Sequence, residues 1–188
     1  MIDEACHSPR AGSGHAVAGV LDIGRLHHVG MVVDDIDAAA QQLSAALGVD
    51  FTVGDESSYR CRIHGEVHLT TQRLGLSSTI GPHIELLRSV PGSEVWSPAP
   101  GIHHLGYEVD DLPSASALLT ERGLPLWVQG LHEDGSAAGT AYHRTPAGPT
   151  IELLDRATVH RLASRFRCCA VHLAADPDTN RPTPTRST

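Results

Sequence analysis

A chain of 188 residues is long enough for one medium domain or two small modules that share a core. Its 14 lysines and arginines stand against 22 aspartates and glutamates, a formal charge of −8, and aromatic residues make up only 4%. With no basic stripe to neutralise phosphates or lipid headgroups and few rings for stacking on bases, nucleic acids and membrane surfaces are excluded as partners.

Residues 1–24 read as a flexible segment, polar and acidic where a secretion signal would be basic and then apolar. No apolar run approaches the roughly 18 residues of a membrane span, and a cytoplasmic location is expected. A first module is expected over residues 25–90. It opens with the strand "LHHVGMVVDDI" from Leu26, followed by a helix whose Ile36, Ala39, Leu43 and Leu47 recur near the helical period. An aspartate precedes that helix as N-cap and Gly48 ends it. Two strands, "YRCRI" and "EVHLTTQRL", follow around a turn at His64 and Gly65, and "PHIELLRSV" closes the module around Glu85.

Residues 91–101, rich in proline and glycine, read as a linker. The second module, residues 102–156, repeats the order. "IHHLGYEVDDL" begins 76 residues after its counterpart and matches it at six of eleven positions without a gap. A helix with Leu112, Ala115 and Leu119 on one face has Pro113 in its first turn and Gly123 at its end. The strands "LWVQG", "GTAYHRT" and "PTIELLDRA" complete the module. Residues 157–175 read as a C-terminal extension and 176–188, rich in proline and threonine, as a disordered tail. Cys6, Cys61, Cys168 and Cys169 show no metal or disulfide spacing and are expected to be reduced thiols.

Alternation along the opening strands places His28, Gly30 and Val32 on one face and His27, Val29, Met31 and Val33 on the other, under the helix. The second copy repeats this, with His104, Gly106 and Glu108 opposite His103, Leu105, Tyr107 and Val109. In the closing strands Glu85 and Glu152 point away from their apolar neighbours. A buried carboxylate is costly unless it is paired or bound to a cation. Two modules related by pseudo-symmetry would gather His28, Glu85, His104 and Glu152 around one point, a donor set suited to a divalent metal. Histidines 7, 15, 64, 83, 132, 143, 160 and 172 show no such pattern and read as surface residues.

At these residues the chain resembles the vicinal oxygen chelate superfamily, which includes glyoxalase I, methylmalonyl-CoA epimerase, extradiol dioxygenases and bleomycin-binding proteins. The likeness spans about Arg25 to Asp155 and is carried by "LHHVGMVVDDI", "HIELL", "GIHHLGYEVDDL" and "AGPTIELLD", the third of these most like the epimerases. The resemblance implies an α+β fold: two tandem βαβββ modules forming a curved eight-stranded mixed sheet around a metal-binding groove. It implies metal ligation by His28, Glu85, His104 and Glu152 and a homodimer. It also places the position of the epimerases' acid/base glutamate near His68, with Glu66 as neighbour.

The implied activity is that of an epimerase, isomerase or lyase that removes a proton beside a carbonyl. Its small-molecule substrate would carry two neighbouring oxygens. The metal is one of zinc, cobalt, nickel, manganese, magnesium or iron. His68, Glu152 and Glu108 are the candidate acid/base residues, with pocket loops expected at Thr52–Tyr59 and Gln129–Ala141. No basic cluster for a coenzyme A tail stands out in the sequence. The alternatives are an iron-dependent extradiol-type dioxygenase, which generally needs two histidines and one carboxylate, and a non-catalytic drug- or metabolite-binding protein of the same fold.

Overall fold

The structure is a computed structural model that describes residues 21–146 and 148–166. The expectations for residues 1–20 and for the tail, with Cys6, Cys168, Cys169, His7, His15 and His172, lie outside the described residues.

The first module opens with strand β1 (Leu26–Val33) and helix α1 (Ile36–Leu47). Asp35 caps α1 by accepting a hydrogen bond from the Ala38 amide at 3.0 Å, and Gly48 ends it at φ 68°, a conformation glycine adopts without a Cβ penalty. Met31 and Val33 pack against Ile36, Ala39, Ala40 and Leu43 of the helix, as alternation predicts. Leu47 departs from the expected face and is exposed. Four strands follow: β2 (Phe51–Val53), β3 (Ser57–Ile63), β4 (Glu66–Gln72) and β5 (Leu74–Ser77). The turn between β3 and β4 has positive φ at both His64 and Gly65, the pattern of a two-residue hairpin whose twist matches its strands. Strand β6 (His83–Arg88) closes the module.

The second module has the plainer order β7 (His104–Val109), α2 (Leu112–Glu121), β8 (Leu126–Leu131), β9 (Ala137–His143) and β10 (Thr150–Asp155). Asp111 caps α2 through the Ser114 amide, with Pro113 in the first turn. A third helix, α3 (Arg156–Phe166), extends the second module.

All ten strands form one mixed sheet in the order β2-β5-β6-β1-β7-β10-β9-β8-β3-β4. The count exceeds the eight expected because the long hairpin of the first module is broken twice, at residues 54–56 and at Arg73. Counted once each, the broken strands restore eight. The break sends the hairpin's two ends to opposite edges of the sheet. Its base, β2 and β5, lies on β6, and its tip, β3 and β4, lies on β8. The sheet therefore curls upon itself, and the inner face becomes the wall of a cavity. The two modules meet along β1 and β7, which pair antiparallel.

Helix α3 was not predicted. Its Val159, Leu162, Ala163 and Phe166 follow the helical period, and Asp155 caps it by accepting from the Thr158 amide at 2.7 Å, so its signal is present in the sequence. Phe166 and Leu162 pack on Leu74 and Leu76 of β5, which carries α3 across the open side of the curl. The linker is also more than a spacer. Val95 and Trp96 are buried in a core with Val32, Leu87, Trp127 and Tyr142. Among the described residues no helix is long and apolar enough to cross a membrane.

Candidate metal centre and cavity

Four consecutive strands, β6, β1, β7 and β10, each supply one polar side chain to the inner face, and their registers explain why these meet. Gly30 on β1 lies beside Glu85 on one side and His104 on the other. Gly106 on β7 lies beside His28 and Glu152 in the same way. The sheet thus holds two rows, Glu85–Gly30–His104 and His28–Gly106–Glu152, related by the pseudo-symmetry of the repeat. Strands stand about 4.8 Å apart, so a glycine between two long side chains lets both lean over it. A Cβ at Gly30 would lie 1.9 Å from the His104 ring, and one at Gly106 would lie 2.3 Å from the His28 ring. Each module therefore vacates the space that the other module's histidine fills.

His28 and His104 are fully buried, and Glu85 and Glu152 are 4% exposed. The two imidazole Nε2 atoms lie 2.9 Å apart. Glu152 Oε2 is 2.8 Å from His28 Nε2 and 3.3 Å from His104 Nε2, and Glu85 Oε2 is 3.0 Å from His104 Nε2. One donor atom from each residue lies within 4.8 Å of all the others. Ligands about 2.0–2.2 Å from one zinc-like ion stand roughly 3–3.5 Å from their nearest neighbours, so this donor set and its spacing fit a divalent cation. The same contacts shift the titration of the groups that make them. Burial pushes the His104 imidazole down, but hydrogen bonds to Glu152 and Glu85 outweigh it and carry the group up to about 9. Burial would raise the Glu152 carboxyl, and His104 and His28 instead hold it well below the usual carboxylate range.

His27 and His103 do not lie simply under the helices. A bulge between Leu26 and His28 offsets the pairing of β1 with β7, and the His27 ring meets the His28 ring edge-on with Nδ1 atoms 2.8 Å apart. His103 meets His104 in the same manner at 2.9 Å. Burial lowers both outer imidazoles, His27 to about 3.

The expectation of surface placement fails for His83 and His143, both buried. His83 donates from Nδ1 to the Ser77 carbonyl at 3.0 Å, and His143 donates from Nδ1 to the Leu124 carbonyl at 2.9 Å. His64, His132 and His160 are exposed as expected.

Glu85 and Glu152 form the floor of a cavity of about 500 Å³. Tyr142, the register partner of Glu152, and Tyr59, which shares a hydrogen bond with Thr140, stand in its wall. Burial raises both phenols, Tyr59 and Tyr142, well above their usual value. Of the two segments expected as pocket loops, residues 57–59, 130–132 and 138–140 line the cavity, largely as strands β3, β8 and β9 rather than as loops, and residues 52–56 and 133–137 do not. The rim carries Arg60 from β3 and Arg161 and Arg165 from α3, a basic grouping that is scattered in sequence and assembled only by the fold.

The structure separates the three candidate acid/base residues. Glu152 sits at the cavity floor. His68 lies on the exposed edge strand β4 opposite Cys61 and is not among the residues that line the cavity. Glu66 sits at the start of the same edge, also exposed. Glu108 is held by Arg25 at 3.3 Å and Arg156 at 3.4 Å, in a surface network with Asp110. Edge exposure and arginine pairing respectively explain why neither His68 nor Glu108 reaches the cluster.

Residues 27–142 match the glyoxalase/bleomycin resistance protein/dioxygenase superfamily. The chain belongs to that superfamily. It is 36% identical over 107 residues to the ethylmalonyl-CoA/methylmalonyl-CoA epimerase of Cereibacter sphaeroides, covering 54% of this chain and 72% of that protein. Among solved structures, it is similar to the methylmalonyl-CoA epimerase from Mycobacterium tuberculosis at 24% identity, covering 69% of this chain and 86% of that one with a TM-score of 0.48. It is also similar to a Streptomyces coelicolor methylmalonyl-CoA epimerase in complex with 2-nitronate-propionyl-CoA, at 16% identity and TM-score 0.48, covering 70% of this chain and 96% of that one. Within the superfamily, the paired-module sheet and its central histidine and glutamate rows are what this chain presents most clearly.

Proposed function

We propose that this protein is a divalent-metal-dependent epimerase that acts on a malonyl-type acyl-CoA thioester by moving the proton beside the thioester carbonyl. The observation that carries this reading is the convergence of His28 and His104 on Glu85 and Glu152, two carboxylates that line a cavity. The Cereibacter sphaeroides relative supports the substrate class. His28, Glu85, His104 and Glu152 would hold a divalent cation, whose Lewis acidity would lower the cost of removing the proton beside the thioester carbonyl. Zinc, cobalt, nickel, manganese, magnesium and iron all suit such a donor set.

The chain's own groups then divide the work. Glu152 and Glu85 enter from strands on opposite sides of the β1–β7 seam. One of them, as carboxylate, takes the proton from the α-carbon, and the other, as carboxylic acid, delivers a proton to the opposite face; exchange with water restores both, so that configuration inverts and composition does not change. Trp96, Leu87 and Leu154 in the cavity wall keep water from the reacting carbon. The guanidinium groups of Arg60, Arg161 and Arg165 face the phosphate-bearing end of the substrate at the rim.

The test is deuterium wash-in. Metal-loaded protein incubated with methylmalonyl-CoA or ethylmalonyl-CoA in D2O is expected to label the α-carbon. The label is lost on chelation, and Glu152→Gln slows exchange by about 100-fold or more. Absence of exchange with every one of the six cations would remove this reading. For the rim, Arg161→Glu combined with Arg165→Glu is expected to raise KM for the CoA thioester about tenfold while leaving kcat nearly unchanged, the pattern of lost uniform binding. The same double variant should leave KM for a short thioester without phosphates unaltered. Steady-state kinetics on the two substrates checks both statements.

A further inference from the structure

The geometry points to His103 as a positioning residue that presents the Nε2 lone pair of His104 to the metal centre. It does so by relaying the direction of a hydrogen bond from the Val95 carbonyl in the linker. This inference rests on the metal-centre reading and concerns a residue outside the ligand set.

The argument follows single protons along a short chain of contacts. His103 Nε2 lies 2.8 Å from the Val95 carbonyl oxygen. A carbonyl only accepts, so the proton in that bond belongs to His103 Nε2. A neutral imidazole carries one proton, so His103 Nδ1 is an acceptor. His104 Nδ1, 2.9 Å away, must then be the donor. A cation bound at Nε2 would displace the proton there and leave the Nδ1 proton in place, and Nε2 is the atom that faces Glu85, Glu152 and His28. A metal-ligating histidine whose other nitrogen donates to a fixed acceptor is both oriented and made more basic.

The anchor is itself well held. Val95 is buried, its amide donates to Ser93 Oγ at 3.1 Å, and the adjacent Trp96 carbonyl accepts from the Val90 amide at 2.9 Å. The linker thus ties the orientation of a ligand in the second module to a carbonyl that belongs to neither module's strands. The first module repeats the paired histidines without the anchor. His27 Nδ1 approaches His28 Nδ1 at 2.8 Å, but its Nε2 has no hydrogen-bond partner among the described residues. Among the described residues no backbone carbonyl there fixes the outer histidine's proton on Nε2. The two ligating histidines are therefore unequal, and His104 is the one prepared in advance.

Three proteins decide the matter: the full chain, His103→Phe, which keeps an aromatic ring but removes the acceptor, and His103→Asn, whose side-chain oxygen restores an acceptor near the Nδ1 position. Zinc affinity is measured by competition with a chromophoric chelator. The His104 Nδ1 proton is followed by NMR on ¹⁵N-histidine-labelled, metal-free protein. His103→Phe is expected to weaken zinc binding by about 10- to 100-fold and to abolish the hydrogen-bonded Nδ1 proton signal. His103→Asn is expected to restore most of the affinity and the signal. Equal affinity of His103→Phe and the unaltered chain would overturn the inference, as would an equal loss in both variants, which would mark the effect as packing alone. If the unaltered chain binds no zinc, the epimerase reading fails, and the NMR signal still decides the relay. Its absence from the unaltered chain overturns the relay on its own.

Discussion

Replacing Gly106 with alanine is expected to displace His28, and replacing Gly30 is expected to displace His104, each across the boundary between modules. The built Cβ positions leave no ordinary solution, because van der Waals contact begins near 3.4 Å and these Cβ atoms would sit 2.3 Å and 1.9 Å from the opposing rings. The rings cannot give way easily. Both are fully buried, and each is hydrogen-bonded or ion-paired at both of its nitrogens. Overpacking of this kind costs about 1–3 kcal/mol even where side chains can shift. Here the shift also removes a ligand, so zinc affinity is expected to fall by on the order of 100-fold or more. The diagnostic part is the crossing. In cobalt-loaded protein, Gly30→Ala should give an optical spectrum like that of His104→Ala, and Gly106→Ala one like that of His28→Ala. Near-normal affinity in either glycine variant would show that the rows are not the device that builds the centre.

Those rows also explain how much could be read before the structure. The repeat of His-x-Gly beside Glu in the closing strand is a local pattern with a local cause, since period-two alternation fixes which side chains share a face. Once two copies are recognised, the meeting of His28, Glu85, His104 and Glu152 follows from pairing β1 with β7, and the four lie within 4.8 Å as that pairing requires. Features that depend on long-range geometry were not legible. The double break of the hairpin sends β3 and β4 to the far edge of the sheet, which leaves His68 exposed although its position along the strand is an inner one. Glu108 shares a face with His104, but Arg25 and Arg156 draw it into a surface network, and nothing local in the sequence foretells those partners. Arg60 and Arg161 lie 101 positions apart and become neighbours at one rim only because α3 spans the open side of the curl. Helix α3 is a different kind of miss. Its period and its cap at Asp155 are local features of the sequence, within the segment that reads as a C-terminal extension. The bulge at His27 is similar in effect, because one extra residue overturns an alternation argument that otherwise holds along the whole of β1.

Metal-free protein is expected to lose stability as pH rises from about 6.5 to 9, and metal-loaded protein is not. His104 is buried against Glu85 and Glu152, and their carboxylates carry it up to about 9 despite the opposing effect of burial. A group whose folded-state value is raised stabilises the fold fully below its unfolded value, near 6.5, and that contribution is lost as pH climbs through the folded value. A shift of this size corresponds to roughly 3 kcal/mol. The expected fall is therefore large against the 5–15 kcal/mol typical of a domain. Three buried groups nearby are silent in this window: His27 is pushed down to about 3, Cys61 is pushed up to about 11, and burial carries the Tyr59 phenol well above its usual value. A divalent cation at this site would do the same electrostatic work as the His104 proton and would displace it. Its affinity should therefore drop about tenfold for each pH unit below 9 if one proton leaves, and its stabilising effect should grow with pH. Guanidinium unfolding at pH 6, 7, 8 and 9, with chelator and with saturating zinc, measures both trends. A metal-free stability that stays level or rises over this range would mean that the two carboxylates are not held by a proton on His104. The centre would then have no charge vacancy for a cation to fill.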